Sequence, residues 1–246
     1  VPGSGKTTTL SMLAFRLIAE GKIGEDQEIL IVTLVNSAVD NFNARIQGML
    51  HEARLIPSGF RVRTLHGLAN DIVRQKPELA GLDNQYMIAD ERIQTVLLQD
   101  ATRKWIRLHP EVIMDLTSES HSLQNTNVRS GWQNLIQEIA VSFIRQAKDM
   151  GVSPEDVRSR MKEQGWQDQL LQMGLDIYTD YQQGLKYHGA VDFDDLISKA
   201  LQVISTDAGY LAELQERWPY ILEDEAQDSS RLQEDILRKL SSRSGN

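Results

Sequence analysis

The order of apolar and polar residues changes character twice along this chain. Through residues 1–76, short β-branched runs alternate with segments in which apolar side chains recur at helical spacing. The elements predicted there are a helix over 7–21, a strand over 28–35 that is buried on both faces, a helix capped by Asn36 or Ser37, a strand over 60–65 and a helix over 66–76. This alternation favours a parallel sheet flanked by helices.

From Pro77 to Gly189 the spacing is helical almost throughout, apart from a possible short strand over 86–88. The helices predicted in this part cover 90–108, 132–150, 153–164 and 168–187, with Ser153 as the N-cap of the third and Gly165 as its stop. The polar segment 117–130 is predicted to be a mobile surface loop. The elements predicted after it are a helix opened by Asp192, Asp194 and Asp195, a short helix over 212–217, a strand over 220–222 and a helix over 229–240. Residues 77–189 are therefore most simply an all-helical insertion within one α/β domain.

Composition narrows the possible classes of protein. The 246 residues include no cysteine, which excludes disulfides, thiolate metal sites and a cysteine nucleophile, and no apolar run approaches the length of a membrane span. The net charge of −9 argues against a nucleic-acid binder. The charge is uneven, however, because residues 1–76 hold nine Lys or Arg against seven Asp or Glu. A surface that follows a phosphate backbone is therefore expected mainly in the first third.

The first eight residues contain most of a phosphate-binding loop, whose pattern is GxxxxGK[ST]. Gly5, Lys6 and Thr7 fill its last three positions, and its first position falls before Val1, so we expect the chain to begin within the motif. The predicted nucleotide-binding residues are Gly3, Ser4, Gly5, Lys6, Thr7 and Thr8. In such a loop glycines let backbone N–H groups approach the phosphates, while Lys6 would reach the β- and γ-phosphates and the Thr7 hydroxyl would bind Mg²⁺. The loop predicts ATP binding but no particular reaction.

A second acidic feature follows the last predicted strand. Asp224 and Glu225 come directly after it, and ligands of open α/β sheets bind at the carboxyl ends of strands. We therefore assign Asp224 to the Mg²⁺ shell and Glu225 to the role of general base. By itself, this segment is more typical of a solvated acidic turn before a helix, and the assignment depends on the phosphate loop being present in the same chain.

Four segments together resemble one family. They are DEAQD at 224–228, VTLVNSAVDNFNARI at 32–46, RTLHGLANDIVR at 63–74 and DFDDL at 192–196. In order and spacing they are similar to the motifs of the UvrD/Rep/PcrA-type superfamily 1 DNA helicases, in the N-terminal ATP-binding part. The resemblance implies a RecA-like P-loop NTPase core with a parallel sheet, formed by residues 1–76 and 190–246 with its first strand missing, and a helical insertion subdomain over 77–189.

The resemblance also implies an activity and its partners. These are ATP hydrolysis with Mg²⁺, movement along single-stranded DNA in the 3′ to 5′ direction, action at duplex junctions, and a second RecA-like domain in the same full-length protein. By position, Lys6, Glu225 and Gln227 would be catalytic, with Gln227 sensing the γ-phosphate, and Asn36, Thr64 and His66 would meet DNA. A cytoplasmic, nucleoid-associated protein without a membrane partner is implied.

This chain departs from the family pattern within the DNA motifs. Leu34 occupies the place of an aromatic residue that can stack on a base, and Val35 and Ser37 replace the usual Thr and Lys. Two other functions therefore stay open, a nucleotide-switched DNA-binding or regulatory module without helicase activity and a P-loop phosphotransferase that acts on a small molecule. Without the family pattern, Asn36 is more typical of a helix cap and His66 of a structural histidine, and the aspartates at 192–195 could equally serve in capping.

Overall fold

The computed structural model describes residues 5–112 and 126–242. The helices and strands are, in chain order, α1 (Lys6–Ala19), β1 (Ile29–Thr33), α2 (Asn36–Glu52), β2 (Phe60–Thr64), α3 (Leu65–Gln75), β3 (Met87–Ile88), α4 (Glu91–Leu108), α5 (Thr126–Asp149), α6 (Pro154–Gln164), α7 (Gln169–Tyr187), β4 (Ala190–Val191), α8 (Phe193–Thr206), α9 (Ala208–Arg217), β5 (Tyr220–Glu223) and α10 (Arg231–Ser241). Two short 3₁₀ helices cover Pro77–Ala80 and Ala226–Asp228. The fold is thus α/β, and apart from β4 its helices and strands follow one another in the order expected from the sequence.

The chain divides into two compact units. The first unit consists of Val1–Asn84 and Leu196–Asn246, and the second unit consists of Gln85–Asp195. Among the helices that the structure describes, none combines the length and apolar character needed to cross a membrane.

A parallel sheet forms the centre of the first unit. Its described strands lie in the order β2-β1-β5, and Ile29 of β1 is opposite both Phe60 and Tyr220. All five residues of β1 are buried, as its continuous apolar sequence predicts for a strand covered on both faces. A cluster of buried apolar side chains joins this sheet to α1 and α2 through Ala14, Ile29, Ile31, Phe42, Ile46, Leu50 and Val62.

The second unit is built mainly of helices, with apolar side chains of α4, α5 and α7 packed together. One cluster of buried side chains in the described part of this unit includes Tyr178 and Leu185, and another includes Trp105 and Ile177. The possible short strand predicted over 86–88 is present as β3, which pairs in parallel with β4 so that Met87 lies opposite Ala190. β4 is not predicted, because the apolar pair Ala190-Val191 between Gly189 and Asp192 is too short a run to indicate a strand.

Several helix ends follow the predicted capping residues. Ser153 and Asp156 form a reciprocal capping box at the start of α6, and Gly165 ends that helix in a left-handed conformation. The predicted start of α2 is wrong by one residue, since Val35 is its N-cap and Asn36 its first residue. Residues 126–130 already belong to α5, and the rest of the predicted loop over 117–130 lies outside the described residues.

Candidate functional site

The carboxyl ends of β1 and β5 meet at one edge of the sheet. The two strands are parallel neighbours with Val32 opposite Glu223, and the Asp224 N–H donates to the Val32 carbonyl at 2.9 Å. Because β5 ends at Glu223, the following acidic residues emerge at this edge. It is the edge at which open α/β sheets bind ligands.

Lys6 and Glu225 are in direct contact at this edge, although 219 residues separate them along the chain. The Lys6 ammonium donates to Oε2 of Glu225 at 2.6 Å, and both side chains remain about 40% exposed. Gly5 is the N-cap of α1 with a φ of 77°, a left-handed conformation that glycine adopts without steric cost. Gly5 therefore sets the turn that directs Lys6 and the first N–H groups of α1.

Each partner stabilises the charged form of the other. The hydrogen bond with Glu225 raises the pKa of Lys6, and the hydrogen bonds from Lys6 and Gln227 lower the pKa of Glu225. Both groups are therefore ionised at neutral pH. A phosphate that approaches Lys6 has to compete with Glu225 for the ammonium group.

Asp224 is the buried acid of the pair that follows β5. Only 6% of its surface is exposed, and its Oδ1 has no hydrogen-bond partner within the described parts of the chain. Burial and then the negative charge of Glu225 raise the pKa of Asp224. An unpaired carboxylate oxygen in this position suits a cation or a water bound to one, because either would satisfy it and offset the cost of burial.

The oxygen donors at this edge fit Mg²⁺. Thr7 is the second residue of α1, and its hydroxyl together with the Asp224 carboxylate supplies the hard ligands that Mg²⁺ prefers. In the described ranges no group of three or more His, Cys, Asp or Glu could hold a metal by itself. A site with few protein ligands is in keeping with Mg²⁺, which usually retains several waters and binds phosphate oxygens.

Gln227 lies in the 3₁₀ turn after Glu225. Its Nε2 donates to Oε2 of Glu225 and, at 3.1 Å, to Oδ2 of Asp228. Glu225 itself has a φ of 61° and a ψ of 38°, a left-handed conformation that is unusual for a residue with a side chain. The amide and the strained backbone together hold the Glu225 carboxylate toward Lys6.

Arg45 of α2 was not among the predicted site residues. Its guanidinium donates to the hydroxyl of Thr8 in the first turn of α1, which places a cation beside the predicted phosphate loop. The only sequence signal for it is its place in the segment 32–46, one residue before the buried Ile46. Two of the predicted loop residues, Gly3 and Ser4, lie outside the described residues.

The three predicted DNA-contacting residues lie at or just after the carboxyl ends of β1 and β2, which are in register at Thr33 and Thr64. Asn36 is exposed at the start of α2, and His66 is partly buried at the second position of α3. Thr64 is the N-cap of α3, and its Oγ1 accepts a hydrogen bond from the Gly67 N–H at 3.1 Å. All three are thus located at the edge of the sheet that carries Lys6, and Thr64 also has a structural task.

Two of the aspartates at 192–195, Asp192 and Asp195, belong to an ionic cluster in the second unit, in which Asp192 is buried and Asp195 is partly buried, whereas Asp194 is exposed. Asp192 caps the start of α8 by accepting a hydrogen bond from the Asp195 N–H at 2.9 Å, and Lys148 of α5 bonds to its carboxylate. Lys148 also lies 3.0 Å from Asp195, and the Tyr181 hydroxyl donates to Asp192 at 2.8 Å. Capping is therefore one role of Asp192, and it is combined with a buried ion pair.

Comparisons with known proteins point to one family. The model of the UvrD/REP helicase N-terminal domain matches residues 1–246. The chain is 28% identical to the ATP-dependent DNA helicase PcrA of Leuconostoc citreum over 99% of its length and 28% of that protein. It is 26% identical to DNA helicase II of Haemophilus influenzae, with 99% and 29% covered, and 27% identical to the ATP-dependent DNA helicase UvrD1 of Mycobacterium tuberculosis, with 99% and 28% covered.

The chain spans less than a third of the length of these three relatives. The match nevertheless runs from the phosphate loop through both units to the acids after β5. Lys6 and Glu225, which the motifs assign to one site, lie 2.6 Å apart in this fold. Since the family model covers every residue, the chain belongs to the UvrD/REP helicase N-terminal domain family.

Proposed function

We propose that this chain is the first motor lobe of an ATP-dependent DNA helicase or translocase. It would couple ATP hydrolysis to movement on single-stranded DNA in the 3′ to 5′ direction that the family resemblance implies. The observation that carries the proposal is the 2.6 Å contact between Lys6 and Glu225 at the carboxyl edge of the sheet. Residues 1–76 and 190–246 would form the RecA-like P-loop core, and residues 77–189 the insertion.

In this proposal the first turn of α1 binds the triphosphate. Lys6 and the free N–H groups after Gly5 neutralise and hold the phosphates, with Gly3 and Ser4 completing the loop, and Arg45 supports the loop through Thr8. The Thr7 hydroxyl and the Asp224 carboxylate would hold Mg²⁺, which offsets the charge that develops on the phosphates. The unpaired Oδ1 of Asp224 supports this assignment.

Glu225 then acts as the general base. While it is bonded to Lys6 its pKa is lowered, which weakens it as a proton acceptor. When Lys6 turns to the phosphates, the pKa of Glu225 returns toward its ordinary range and the carboxylate can accept a proton from the attacking water. Gln227, which contacts the same carboxylate, orients it and is placed to respond to the γ-phosphate.

Asn36, Thr64 and His66 would contact single-stranded DNA beside the nucleotide. They lie at or just after the carboxyl ends of β1 and β2, at the edge where the nucleotide would bind, so a change in one site can reach the other through the strand ends. A second RecA-like lobe would close on ATP from the other side, as the family resemblance implies. Closure and opening of two lobes would provide the step along DNA.

One observation favours a different function, a nucleotide-switched DNA-binding or regulatory module. Val35 and Ser37 are exposed where the family pattern has threonine and lysine, which leaves fewer groups to hold a DNA strand. Such a module would bind DNA according to its nucleotide state but would not separate duplexes.

The test is the steady-state ATPase rate of the intact protein with and without single-stranded DNA, followed by a strand-separation assay. We expect turnover that rises with single-stranded DNA and duplex unwinding that requires ATP. Stimulation without unwinding would favour the switch module. Turnover that ignores DNA would favour a phosphotransferase and would exclude the motor.

A further inference from the structure

A second concave site in the first unit gathers positive charge. It is a cavity of about 320 Å³ between β2, α3 and the α9 segment, large enough for a small ligand. Four arginines and two aromatic residues line it, namely Arg61, Arg63, Arg74, Arg217, Tyr210 and Trp218. We call this cavity the arginine pocket.

The arrangement of β2 brings two of the arginines to one face. Arg61 and Arg63 are two residues apart on a strand, so their side chains project in the same direction. Arg61 binds both carboxylate oxygens of Glu28, at 2.8 and 3.2 Å, and Arg217 donates to the same carboxylate at 3.0 Å. Arg63 donates to Asp71 at 2.9 Å.

The four arginines of the pocket outnumber the carboxylates that form ion pairs with them. Glu28 serves two guanidinium groups and Asp71 serves a third, whereas Arg74 donates to the neutral amide oxygen of Asn70 at 3.3 Å. A guanidinium carries five N–H donors in a planar fork, so these bonds leave donors that can bind an oxyanion. This excess of positive charge stands out in a chain whose net charge is −9.

Tyr210 gives an independent indication of a missing polar partner. The residue is 3% exposed, and its hydroxyl oxygen is buried without a hydrogen-bond partner in the described ranges. Burial, followed by the negative charge of Asp71, raises the pKa of Tyr210 to about 12, so the hydroxyl is a donor at neutral pH. Buried hydroxyls normally have a partner because leaving one unpaired costs folding free energy.

The arginine pocket is distinct from the nucleotide site. Glu28, which binds two of its arginines, precedes β1, whereas Lys6 and Glu225 meet at the carboxyl edge of the sheet. A ligand in the pocket therefore need not compete with the triphosphate. The cavity is also compact, while a nucleic-acid track needs an extended row of cations.

We propose that the arginine pocket binds a small phosphate ester, with Arg63, Arg74 and the Tyr210 hydroxyl as donors to its phosphate group. The apolar side chains of Ile72 and Leu214, together with Trp218, line the same cavity and receive the rest of the ligand. A guanidinium fork suits phosphate because it can donate two parallel hydrogen bonds.

The test uses the full 246-residue chain with Lys6→Ala, so that the phosphate loop no longer contributes a lysine to anion binding. The probes are inorganic phosphate and adenosine 5′-monophosphate, and the readout is the NMR resonance of the Trp218 indole N–H, which donates to Glu28 at 3.2 Å. We expect both probes to shift this resonance in a saturable way. Adding Arg74→Gln should weaken binding about tenfold, which is the loss expected for one charge-assisted hydrogen bond.

Two further variants decide between specific binding and general attraction. Arg103→Gln removes the same charge from an exposed position on α4 and should leave the affinity unchanged. Tyr210→Phe should stabilise the unliganded chain, because it removes an unpaired buried hydroxyl, and should weaken binding of both probes severalfold.

Some outcomes would overturn the proposal. These are an unmoved Trp218 resonance, an equal loss of affinity in Arg74→Gln and Arg103→Gln, or undiminished binding in Tyr210→Phe. A shift caused by a single-stranded oligonucleotide but by neither small probe would assign the pocket to nucleic acid instead. Because Lys6 is replaced throughout, none of these results depends on the proposed ATPase function.

Discussion

Glu225 has two possible effects on catalysis that a single substitution can separate. It is bonded to Lys6 at 2.6 Å, so it restrains the lysine, and in the proposed mechanism it also accepts a proton from water. Glu225→Gln removes the charge that holds Lys6 and abolishes the base. We therefore expect ATP to bind at least as tightly as before and the maximal turnover rate to fall by about 100-fold or more.

Nucleotide binding by fluorescence titration and turnover by phosphate release, both on the intact protein, check this expectation. Glu223→Gln serves as the matched control. Glu223 is the acidic last residue of β5, and it accepts a hydrogen bond from the Ser229 hydroxyl rather than from Lys6. Its turnover should be close to that of the parent. Faster hydrolysis in Glu225→Gln would mean that Glu225 only restrains Lys6 and is not the base.

At the scale of elements, the buried cluster around Lys148 fastens α5 and α7 to the start of α8. Although burial opposes it, the charge of Lys148 lowers the pKa of Asp192, whereas burial raises the pKa of Asp195. One lysine thus neutralises one of two carboxylates. Asp192 adds stability above the ordinary pKa of an aspartate and loses it as pH falls, while the charged form of Asp195 costs stability as pH rises.

The two aspartates should therefore respond in opposite directions to replacement by asparagine. At about pH 7, Asp192→Asn should lower the free energy of unfolding by about 3 kcal/mol, because it breaks a buried ion pair. Asp195→Asn should leave it unchanged or raise it by about 1 kcal/mol. Urea unfolding at about pH 7 and about pH 4 measures both effects, and the difference between the variants should shrink at the lower pH. Equal losses in the two variants would contradict this account.

A glycine determines how closely α5 and α7 approach each other. A Cβ atom at Gly174 of α7 would lie 2.7 Å from the Phe143 ring of α5, closer than real contacts allow. Gly174→Ala should therefore lower the free energy of unfolding by about 1–3 kcal/mol, despite the higher helix propensity of alanine. Denaturant unfolding of the variant provides the measurement.

Gly131→Ala is the control for helix propensity alone. Gly131 lies in α5, and nothing within 4 Å would meet its Cβ. This variant should gain up to about 1 kcal/mol of stability. If both alanine variants change the free energy of unfolding by the same amount, the close packing at Gly174 does not determine the effect of the substitution.

The sequence predicts those elements whose signal is local. The continuous apolar run at Ile29–Thr33 and the capping residues Ser153 and Gly165 each specify a local structure, and each is found where it was expected. The pairing of β4 is missed because two residues carry no periodic pattern. The start of α2 is misplaced because Asn36 is a favourable N-cap in isolation, yet Val35 takes that position.

Prediction of the candidate functional site from the sequence is likewise limited to residues with a local signal. The loop motif and the acids after β5 identify Lys6 and Glu225, because each belongs to a recognisable pattern beside a predicted element. Arg45 and the arginine pocket have no such pattern, since Arg61 and Tyr210 are brought to one cavity by tertiary packing between distant parts of the chain. Sequence reasoning therefore finds groups that motifs mark and misses groups that only the fold assembles.

At the scale of the whole molecule, the excess of basic residues lies in the part of the chain to which the proposal assigns both the phosphate loop and DNA contact. Residues 1–76 hold nine basic against seven acidic residues, and the excess of acid lies in the remainder. The basic third contains the phosphate loop and the predicted DNA-contacting residues. An acidic remainder would keep a DNA strand from spreading over other surfaces and direct it to this edge.

The 246 residues alone should be a poor motor, although they hold the proposed phosphate loop, metal ligands and base. In the proposed mechanism two lobes close around ATP for each step, and an arginine supplied by a second lobe can contribute a factor of about 10³–10⁵ to hydrolysis. We therefore expect this chain by itself to bind Mg·ATP weakly, to hydrolyse it slowly and to leave duplex DNA intact. The intact protein should hydrolyse ATP faster and separate strands.

Turnover and strand separation, measured side by side at equal concentrations with single-stranded DNA present, compare the two proteins. Lys6→Ala in the intact protein is the control, and it should remove the activity if this site is its source. Duplex unwinding by the 246-residue chain would contradict the requirement for a second lobe. Full activity in the Lys6→Ala protein would instead show that ATP is hydrolysed elsewhere, because no other residue of this loop can replace the charge of its lysine.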